Sequence, residues 1–362
     1  MHQKRLGDIA SYVNGYAFKP EQRGKVGLPI IRIQDLTGNV YDLGFYDGDY
    51  PKKVEINDGD VLISWSASLG VYEWNRGKAL LNQHIFKVVF DKLTVDKKFF
   101  MYAVQCKLKE MESKTHGATM KHITKKDFDN TVIPFPTIVE QERISNTLNK
   151  LHTIIDSKKF QLEKLDSLIK ARFVEMFGDF DLAPQCNEWI KLSKLGEIVS
   201  GSTPKTGTAE YWDGDICWIT PAELNSMSGI VCDSKKKITE AGRNSCSLRL
   251  MPINTVILSS RAPIGKVAIL GKEMCCNQGF KNIICNEKIL PKYLYYLLAY
   301  NTDYLNSLGR GATFREISKK IVEDIRISLP SIEQQAKFIT FSEQVDKSKF
   351  AVQKSLEKTQ LL

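Results

Sequence analysis

The chain has 362 residues, 43% of them hydrophobic and 26% charged, with a formal net charge of +9. This composition is that of a folded protein of about two domains and excludes a disordered chain. No apolar run approaches the roughly 20 residues of a membrane-spanning helix. Residues 1–5 lead into no apolar signal segment, so we expect a cytoplasmic protein. The positive charge favours a polyanionic partner.

Cysteine usage predicts reduced thiols rather than a disulfide framework. The sequence has eight cysteines, and none forms a Cys-x-x-Cys pair. Cys275 and Cys276 are neighbours in the chain, and adjacent cysteines rarely bridge. This pattern is typical of a protein in a reducing compartment.

Residues 1–136 alternate short apolar runs with turn signals, which predicts a domain of mixed strands and helices. Strands are expected at 28–33 and within 80–90, and residues 59–64 are expected to be a turn that leads into a strand. Apolar residues at helical spacing predict a helix over 97–111. The order of these elements is irregular, which indicates an α+β fold rather than alternating βαβ units.

One long helix is predicted over residues 137–178. Thr137 is the expected N-cap and Glu140 its capping-box partner. Gly178 suits the position just beyond the last turn. Apolar side chains recur in this stretch at spacings of four and three, which is typical of a coiled-coil seam. The seam residues are Ile144, Leu148, Leu151, Ile155, Leu162, Leu165 and Ile169.

Two basic residues, Lys158 and Arg172, interrupt the seam and are candidate register or partner-contact points. A helix of this length, at about 1.5 Å per residue, measures roughly 60 Å. Such a length is unusual inside a globular domain and natural for a spacer between domains.

The second half of the chain has the same organisation. An α+β segment is predicted over 187–330, followed by a helix over 331–362. Ser331 and Gln334 form a second candidate capping box. The seam of this helix is less regular. Its apolar members are Phe338, Phe341, Val345, Val352 and Leu356.

The two halves are copies of one another. Short matches between them keep their order, at offsets between 189 and 195 residues. The matched segments are 6–9 and 195–198, 60–64 and 255–259, 82–83 and 277–278, 117–119 and 311–313, and 136–138 and 330–332. Such ordered matches indicate tandem duplication. If the halves share a fold, laying the two helices antiparallel buries both seams and separates the domains across an approximate two-fold axis.

Specific motifs then identify a family. The second half contains Gly-Ser-Thr-Pro from Gly201, Trp-Ile-Thr-Pro from Trp218 and Asn-Gln-Gly-Phe from Asn277. The first half contains Asn-Gln-His-Ile-Phe from Asn82 and Gly-Ala-Thr from Gly117. In kind and in order, these motifs closely resemble the specificity subunit of type I restriction–modification enzymes over nearly the whole chain.

The resemblance implies an α+β protein with two similar target-recognition domains, here 1–136 and 187–330. Each domain would be followed by a long helix, at 137–178 and 331–362, and the helices would pack as an antiparallel coiled coil. The implied function is non-catalytic recognition of a bipartite, asymmetric site in double-stranded DNA. The implied partners are two methyltransferase subunits and the restriction subunits, which would bind S-adenosylmethionine and ATP.

The two halves differ in the length of their long helices. Only twelve residues follow the Lys-Phe pair that ends at Phe350, whereas helix one continues for seventeen residues beyond Phe160. The second helix is therefore expected to be the shorter one.

Catalytic and metal-binding motifs are absent from the sequence. It has no Asn-Pro-Pro-Tyr or Asp-Pro-Pro-Tyr tetrapeptide, no P-loop and no glycine-rich dinucleotide fingerprint. Its five histidines lack the spacing of metal ligands. We therefore assign no catalytic residue, no metal site and no cofactor to this chain.

Candidate DNA contacts fall at three matched places in each half: the loop after a Leu-Ile-Ser or Ile-Leu-Ser strand, the Asn-Gln turn and the Gly-Ala-Thr turn. Lys19, Lys205 and Arg310 are additional basic candidates outside these places. Short polar side chains and Arg suit base edges, and Lys and Arg suit phosphates. The candidates are Lys19, Ser64, Trp65, Ser66, Gln83, His84, Thr119, Lys121, His122, Lys205, Ser260, Arg261, Gln278, Lys281, Arg310, Thr313 and Arg315.

Structural alternatives stand beside these candidates. Ser64 and Ser259 would equally well end strands, and Asn82 and Asn277 would equally well fix a turn. For the whole chain, the competing hypotheses are a two-domain protein-binding adaptor, a stand-alone DNA-modifying enzyme with an unrecognised site, and a copy without partners.

Overall fold

The structure is a computed structural model that describes residues 2–38, 44–114, 123–178, 189–225, 227–261, 263–309 and 316–361. The chain divides into two compact units, Met1–Ile154 and Ile155–Leu362. The longest helix begins in the first unit and ends in the second.

The helices in chain order are α1 Leu6–Ile9, α2 Ile33–Leu36, α3 Lys97–Lys114, α4 Lys125–Asn130, α5 Ile138–Phe177, α6 Glu240–Ser245, α7 Pro291–Tyr300, α8 Thr302–Ser307, α9 Lys319–Asp324 and α10 Ile332–Gln360. The strands of the first unit are β1 Gln3–Arg5, β2 Ser11–Asn14, β3 Leu28–Ile31, β4 Phe45–Tyr46, β5 Glu55–Ile56, β6 Val61–Ser64, β7 Gly70–Glu73, β8 Ala79–Leu81, β9 Ile85–Val89 and β10 Val132–Pro134. The strands of the second unit are β11 Trp189–Lys191, β12 Gly196–Ser200, β13 Trp212–Ile219, β14 Met227–Val231, β15 Lys236–Ile238, β16 Val256–Ser259, β17 Val267–Leu270, β18 Cys275–Cys276, β19 Phe280–Cys285 and β20 Arg326–Ser328.

Two sheets with the same strand order form the centres of the two units. In the first unit the order is β2-β9-β6-β7, and in the second it is β12-β19-β16-β17 with β14 added at the edge. A parallel pair also recurs, β3 with β8 and β13 with β18. A short antiparallel pair beside the long helix recurs as well, β1 with β10 and β11 with β20. The duplication seen in the sequence is therefore a duplication of the fold.

Two predicted strands differ in their limits from the observed ones. The run 28–33 ends as a strand at Ile31 because the next residues start α2, where the backbone N–H of Arg32 donates to Asp35 at 2.8 Å. The run 80–90 is two strands, since the chain turns at 82–84. His84 takes a positive φ of 71° in that turn, which ends the first strand.

Both predicted capping boxes are present. The N–H of Thr137 donates to the Glu140 carboxylate at 3.0 Å. The N–H of Ser331 donates to the Gln334 side chain at 3.1 Å, and the N–H of Gln334 donates back to the Ser331 hydroxyl at 3.3 Å. Gly178 closes α5 in the left-handed region, with φ of 81°. These local bonds define where α5 and α10 begin and where α5 ends.

Within the second unit, residues 155–177 of α5 pack antiparallel against α10. Hydrogen bonds join Lys158 to Ser355 and Asp166 to Lys349. The two helices run antiparallel, because the higher-numbered residue of α5 pairs with the lower-numbered residue of α10. Midway between these two bonds lie Leu162 on one helix and Val352 on the other. These are equivalent residues of the repeat, so a local pseudo-two-fold axis passes between the helices at this point.

The seam residues of α5 face inward along this helix. Ile169 is buried, and the other predicted seam residues are half-buried. Lys158 also lies on the seam and reaches the partner helix, while Arg172 places its guanidinium 5.8 Å from the Phe341 ring. The apolar members predicted for α10 are all buried or half-buried. The predicted seam residues from Ile155 to Ile169 lie in the part of α5 that packs on α10, whereas Ile144, Leu148 and Leu151 precede it.

An aromatic cluster fills the end of the helix pair. Phe173 and Phe177 of α5 meet Phe338 of α10 and Tyr293 of α7, with ring centroids 5.0–5.8 Å apart. Phe338 and Tyr293 are almost completely buried. Full burial of such a side chain stabilises a fold by about 1.5–3 kcal/mol. This cluster joins the helix pair to the second unit's main core.

Two further sequence expectations concern cysteines and membrane spans. Every cysteine in the described ranges is free. In those ranges, no helix combines the length and apolar character that crossing a membrane would require.

Candidate nucleic-acid interface

In the second unit, the structure brings together the loop after β16, the Asn-Gln turn and the residues that follow the Gly-Ala-Thr segment. The N–H of Ser260 donates to the Gly279 carbonyl at 2.8 Å. The Ser260 carbonyl accepts from the N–H of Ile317, also at 2.8 Å. Three segments that are distant in sequence therefore meet at Ser260.

The first unit repeats this arrangement with different side chains. The N–H of Trp65 donates to the His84 carbonyl at 3.2 Å, and the Trp65 carbonyl accepts from Ile123 at 3.1 Å. Trp65 and Ser260 therefore occupy the same position in the two units. The backbone is conserved between the copies, whereas the side chains that it presents differ.

Four of the candidate contact residues lie in the interior. Ser64, Ser66, Ser260 and Lys281 are each 5% exposed or less. The Ser64 hydroxyl donates to the carbonyl of Ser68 at 2.5 Å, which closes the loop after β6. In the second unit Ser259, the equivalent of Ser64, donates to the carbonyl of Pro263 at 2.9 Å. These bonds fit the alternative in which the serines end their strands.

The recurring asparagines belong to a tight turn. Asn277 accepts the N–H of Gly279 at 2.8 Å on its side-chain oxygen and donates to the Thr203 hydroxyl at 2.9 Å. Gly201 packs so closely on this turn that a Cβ there would lie 2.1 Å from the Asn277 carbonyl oxygen. The first unit has the same close approach, 1.9 Å, between Gly15 and Asn82. The structural interpretation of these asparagines is therefore the better one.

Of the glutamines beside these asparagines, Gln83 is exposed, whereas Gln278 is half-buried and bonded to Thr203. Lys19 and Lys205 are exposed, each in the segment that follows the first strand of its unit's main sheet. Arg261 is exposed on the loop after β16. These exposed polar and basic side chains are the ones placed to meet a ligand.

Trp65 is half-buried in an aromatic group. Its ring stacks on Phe86 at 5.6 Å and meets His84 edge-on at 4.9 Å. The indole N–H donates to the Asn14 side chain at 3.3 Å. Trp65 thus has one face committed to the core, which limits how far its ring can turn outward.

A charged group surrounds Arg261. Its Nε donates to Glu316 at 3.1 Å, and the amine of the buried Lys281 lies 3.5 Å from the same carboxylate. The Lys281 amine also donates to the Ser260 hydroxyl at 3.2 Å. Burial lowers the pKa of Lys281, and the Glu316 charge partly opposes that shift. The sequence did not single out Glu316, because no motif links it to residues so far away in the chain.

The remaining candidates, Thr119, Lys121, His122, Arg310, Thr313 and Arg315, lie outside the described residues. Within the part of the chain that the structure describes, no cluster of three or more His, Cys, Asp or Glu is placed to hold a metal ion.

A duplicated α+β domain, each copy followed by a long helix and carrying the same three-segment junction, defines a two-domain protein built by internal repetition. The chain belongs to the family of the type I restriction–modification DNA specificity domain, whose model matches residues 1–167 and 185–361.

Individual relatives agree with this assignment. The chain is similar to the MjaIX specificity subunit of Methanocaldococcus jannaschii, with 39% identity over 178 residues, which are 48% of this chain and 41% of that protein. It is 30% identical to the EcoBI specificity subunit of Escherichia coli over 168 residues, 46% of this chain and 35% of that protein. The matched part is thus about two fifths of the length of these relatives. The putative MjaX specificity subunit matches over 92% of this chain and 83% of its own length, at 23% identity.

Solved structures share the fold. A chain from a study of the assembly and conformational transition of a type I restriction–modification system superposes with a TM-score of 0.65 at 17% identity, covering 99% of this chain and 93% of that one. The S subunit from M. genitalium gives a TM-score of 0.58 at 18% identity, with the same coverage.

Proposed function

We propose that this chain recognises a bipartite, asymmetric site in double-stranded DNA, one half-site for each domain. The observation that carries the proposal is the junction repeated in the two units. Trp65 stands in one unit where Ser260 stands in the other, and Ser66 stands where Arg261 does. Matched backbone would dock both domains in the same way, and the exposed Arg261, which has the buried Ser66 as its equivalent in the first unit, would contact bases in one half-site only.

The charge of the chain supports this choice of ligand. A net charge of +9 favours a polyanion. Lys19 and Lys205, exposed at comparable places in the two units, suit phosphate contacts. Because phosphate contacts release counterions, binding would weaken steeply as salt increases.

We further propose that the chain is non-catalytic and directs partner subunits to DNA. The sequence lacks the motifs of methyl transfer and of nucleotide hydrolysis, and the named relatives are specificity subunits. S-adenosylmethionine and ATP would be bound by methyltransferase and restriction subunits rather than by this chain.

The helices offer two equivalent docking points for the methyltransferase subunits. Each helix carries Lys-Phe-x-x-x-Lys, with Phe160 56% exposed and Phe350 70% exposed. The amine of Lys164 lies 4.9 Å from the centre of the Phe160 ring. Exposed phenylalanines at equivalent repeat positions, related by a local pseudo-two-fold axis, fit two copies of one partner.

Methylome sequencing tests the proposal directly. Cells would carry this chain together with its methyltransferase, and control cells would carry the methyltransferase alone. We expect one new asymmetric motif with two half-sites and a spacer of fixed length. No new motif, or a single uninterrupted one, would contradict the proposal.

Two binding and activity measurements separate the competing hypotheses. A protein-binding adaptor would give no gel shift with random duplex DNA and no enrichment in site selection. A stand-alone enzyme would transfer methyl groups or cut DNA as the purified chain, without any partner. Either result would replace the proposed function.

A further inference from the structure

The charged group after β16 has a specific internal order. The Ser260 hydroxyl donates to the Gly279 carbonyl at 3.1 Å and accepts from the Lys281 amine at 3.2 Å. The same amine lies 3.5 Å from Oε1 of Glu316, while Arg261 donates through Nε to Oε2 at 3.1 Å. Each carboxylate oxygen of Glu316 therefore faces a different cation.

The burial of these three charges decreases from Lys281 outward. The side chain of Lys281 is 6% exposed, that of Glu316 38% and that of Arg261 50%. An ammonium group removed from water costs free energy unless it is paired and hydrogen-bonded. Lys281 is therefore bound to its position by its partners, and Glu316 is in turn fixed by Lys281. The backbone adds a β-bridge between residues 261 and 316.

The bond to Glu316 uses only one side of the guanidinium. Nε donates to the carboxylate, whereas Nη1 and Nη2 donate no hydrogen bond to any residue in the described ranges. A guanidinium held through Nε presents its two terminal nitrogens in one fixed direction. That fork is the geometry that pairs with O6 and N7 of guanine in the major groove.

We propose that Glu316 is a positioning residue: it holds Arg261 so that the terminal nitrogens of that arginine contact guanine in the half-site of the second domain. Lys281 is the buried support that keeps the carboxylate in place. This inference rests on the proposed function, and it adds the base class and the residue that orients the contact. Holding a long side chain before binding lowers the entropy that is lost on binding.

The first domain provides an internal control. At the position of Arg261 it has Ser66, which is buried and carries no guanidinium. Changes at Glu316 should therefore alter base discrimination in only one half-site. Loss of folding or of overall affinity would instead affect both halves.

The experiment uses the assembled complex with its methyltransferase and begins with the wild-type methylome. That measurement alone decides the proposed function. Arg261→Ala then identifies the base pair, and so the half-site, that Arg261 contacts. Duplexes with single base-pair changes in each half measure discrimination by competition binding, for the wild type and for Arg261→Ala, Glu316→Ala, Glu316→Gln and the double alanine variant.

A guanine contact predicts a loss of discrimination of about tenfold at one base pair in Arg261→Ala. We expect Glu316→Ala to lose discrimination at that same base pair, by about threefold to tenfold, with the other half-site unchanged. Glu316→Gln keeps an oxygen acceptor for Nε of Arg261 and should therefore lose less discrimination than Glu316→Ala. The double variant should be no worse than Arg261→Ala, because Glu316 acts only through Arg261.

Three results would overturn the inference while the wild-type motif still stood. In the first, Arg261→Ala changes no base preference. In the second, Glu316→Ala keeps full discrimination or changes a different base pair. In the third, the losses of the two single variants add in the double variant, which would make Glu316 an independent reader of DNA.

Discussion

The ring of Phe173 on α5 meets the ring of Phe338 on α10 edge to face, with centroids 5.2 Å apart and planes at 79°. Both side chains are at most 2% exposed. Aromatic pairs of this geometry add to the stabilisation that comes from burial alone. The contact joins the end of one long helix to the beginning of the other, at the core of the second unit.

The first prediction concerns this aromatic contact. Phe338→Ala should lower the free energy of unfolding of the second unit by about 3–5 kcal/mol, because it leaves a cavity in a packed core. Chemical denaturation of the full chain measures the change. Phe350→Ala on the same helix is the control, and it should change stability by less than about 0.5 kcal/mol because its ring is mostly in solvent. Equal effects of the two variants would contradict the packing described above.

The exposed phenylalanines give the second prediction. Phe160→Ala and Phe350→Ala should each weaken assembly with the methyltransferase at one docking point, and the double variant should bind neither copy. Sedimentation of the reconstituted complex counts the copies. Gln344→Ala, an exposed change on α10, is the control. Full assembly with the double variant would place the docking surface elsewhere.

The third prediction concerns the close approach at the Asn-Gln turn. Gly201→Ala should lower the free energy of unfolding by about 2 kcal/mol or more, because the new Cβ would lie 2.1 Å from a backbone oxygen. Gly207→Ala is matched to it, since nothing lies within 4 Å of a Cβ there. Thermal unfolding of both variants gives the comparison. If Gly201→Ala is as stable as Gly207→Ala, the turn does not constrain the chain.

The fourth prediction separates stability from recognition at Lys281. Lys281→Met should leave the free energy of unfolding within about 1–2 kcal/mol of the wild-type value at neutral pH, because removing the desolvation cost of the ammonium offsets the loss of its contacts with Ser260 and Glu316. The same variant should lose base discrimination, because Glu316 loses its support. Lys235→Met, an exposed change, is the control for both measurements.

The difference in unfolding free energy between Lys281→Met and the wild type should change with pH in a definite direction. Burial lowers the pKa of Lys281 in the folded protein below its ordinary value of 10.5. At pH values between the lowered pKa of the folded protein and 10.5, the unfolded chain binds more protons than the folded one, so wild-type stability rises with pH. Any stability advantage of Lys281→Met should therefore shrink as pH rises towards 10.5. An advantage that grew with pH would show that burial is not the dominant cause.

The fifth prediction concerns the two helices as a spacer. Inserting seven residues into α5 and seven at the matched place in α10 keeps both seams in phase. The helix pair then lengthens by about 10 Å, or about three base pairs of DNA. Methylome sequencing should show a longer spacer and two unchanged half-sites. A changed half-site would mean that helix length also affects base recognition.

Much of the helical framework could be predicted from local sequence. The capping boxes at Thr137 and Ser331 join residues three apart, so their chemistry can be recognised within one helical turn. The seam on α5 follows from a spacing that places its side chains on one face. The duplication was visible because matched segments keep their order along the chain.

The contact surface could be predicted only in part. The sequence located the loop after β16, the Asn-Gln turn and the following segment, and the structure brings them together at Ser260. It did not distinguish exposed polar residues from buried ones. Ser66 and Arg261 occupy equivalent positions after strands of the same pattern, yet the first is buried and the second reaches solvent.

The sequence by itself determined the duplicated α+β plan, the start of each long helix and the face on which the helices pack. The helix starts and packing faces depend on hydrogen bonds and side-chain spacings within a few residues, and the duplication shows as matched segments that keep their order along the chain. Only the tertiary structure decided which polar residues are buried and which charges are paired. Arg261 and Glu316 are 55 residues apart in the chain. They meet because the fold lays two loops side by side, and no local pattern records that contact.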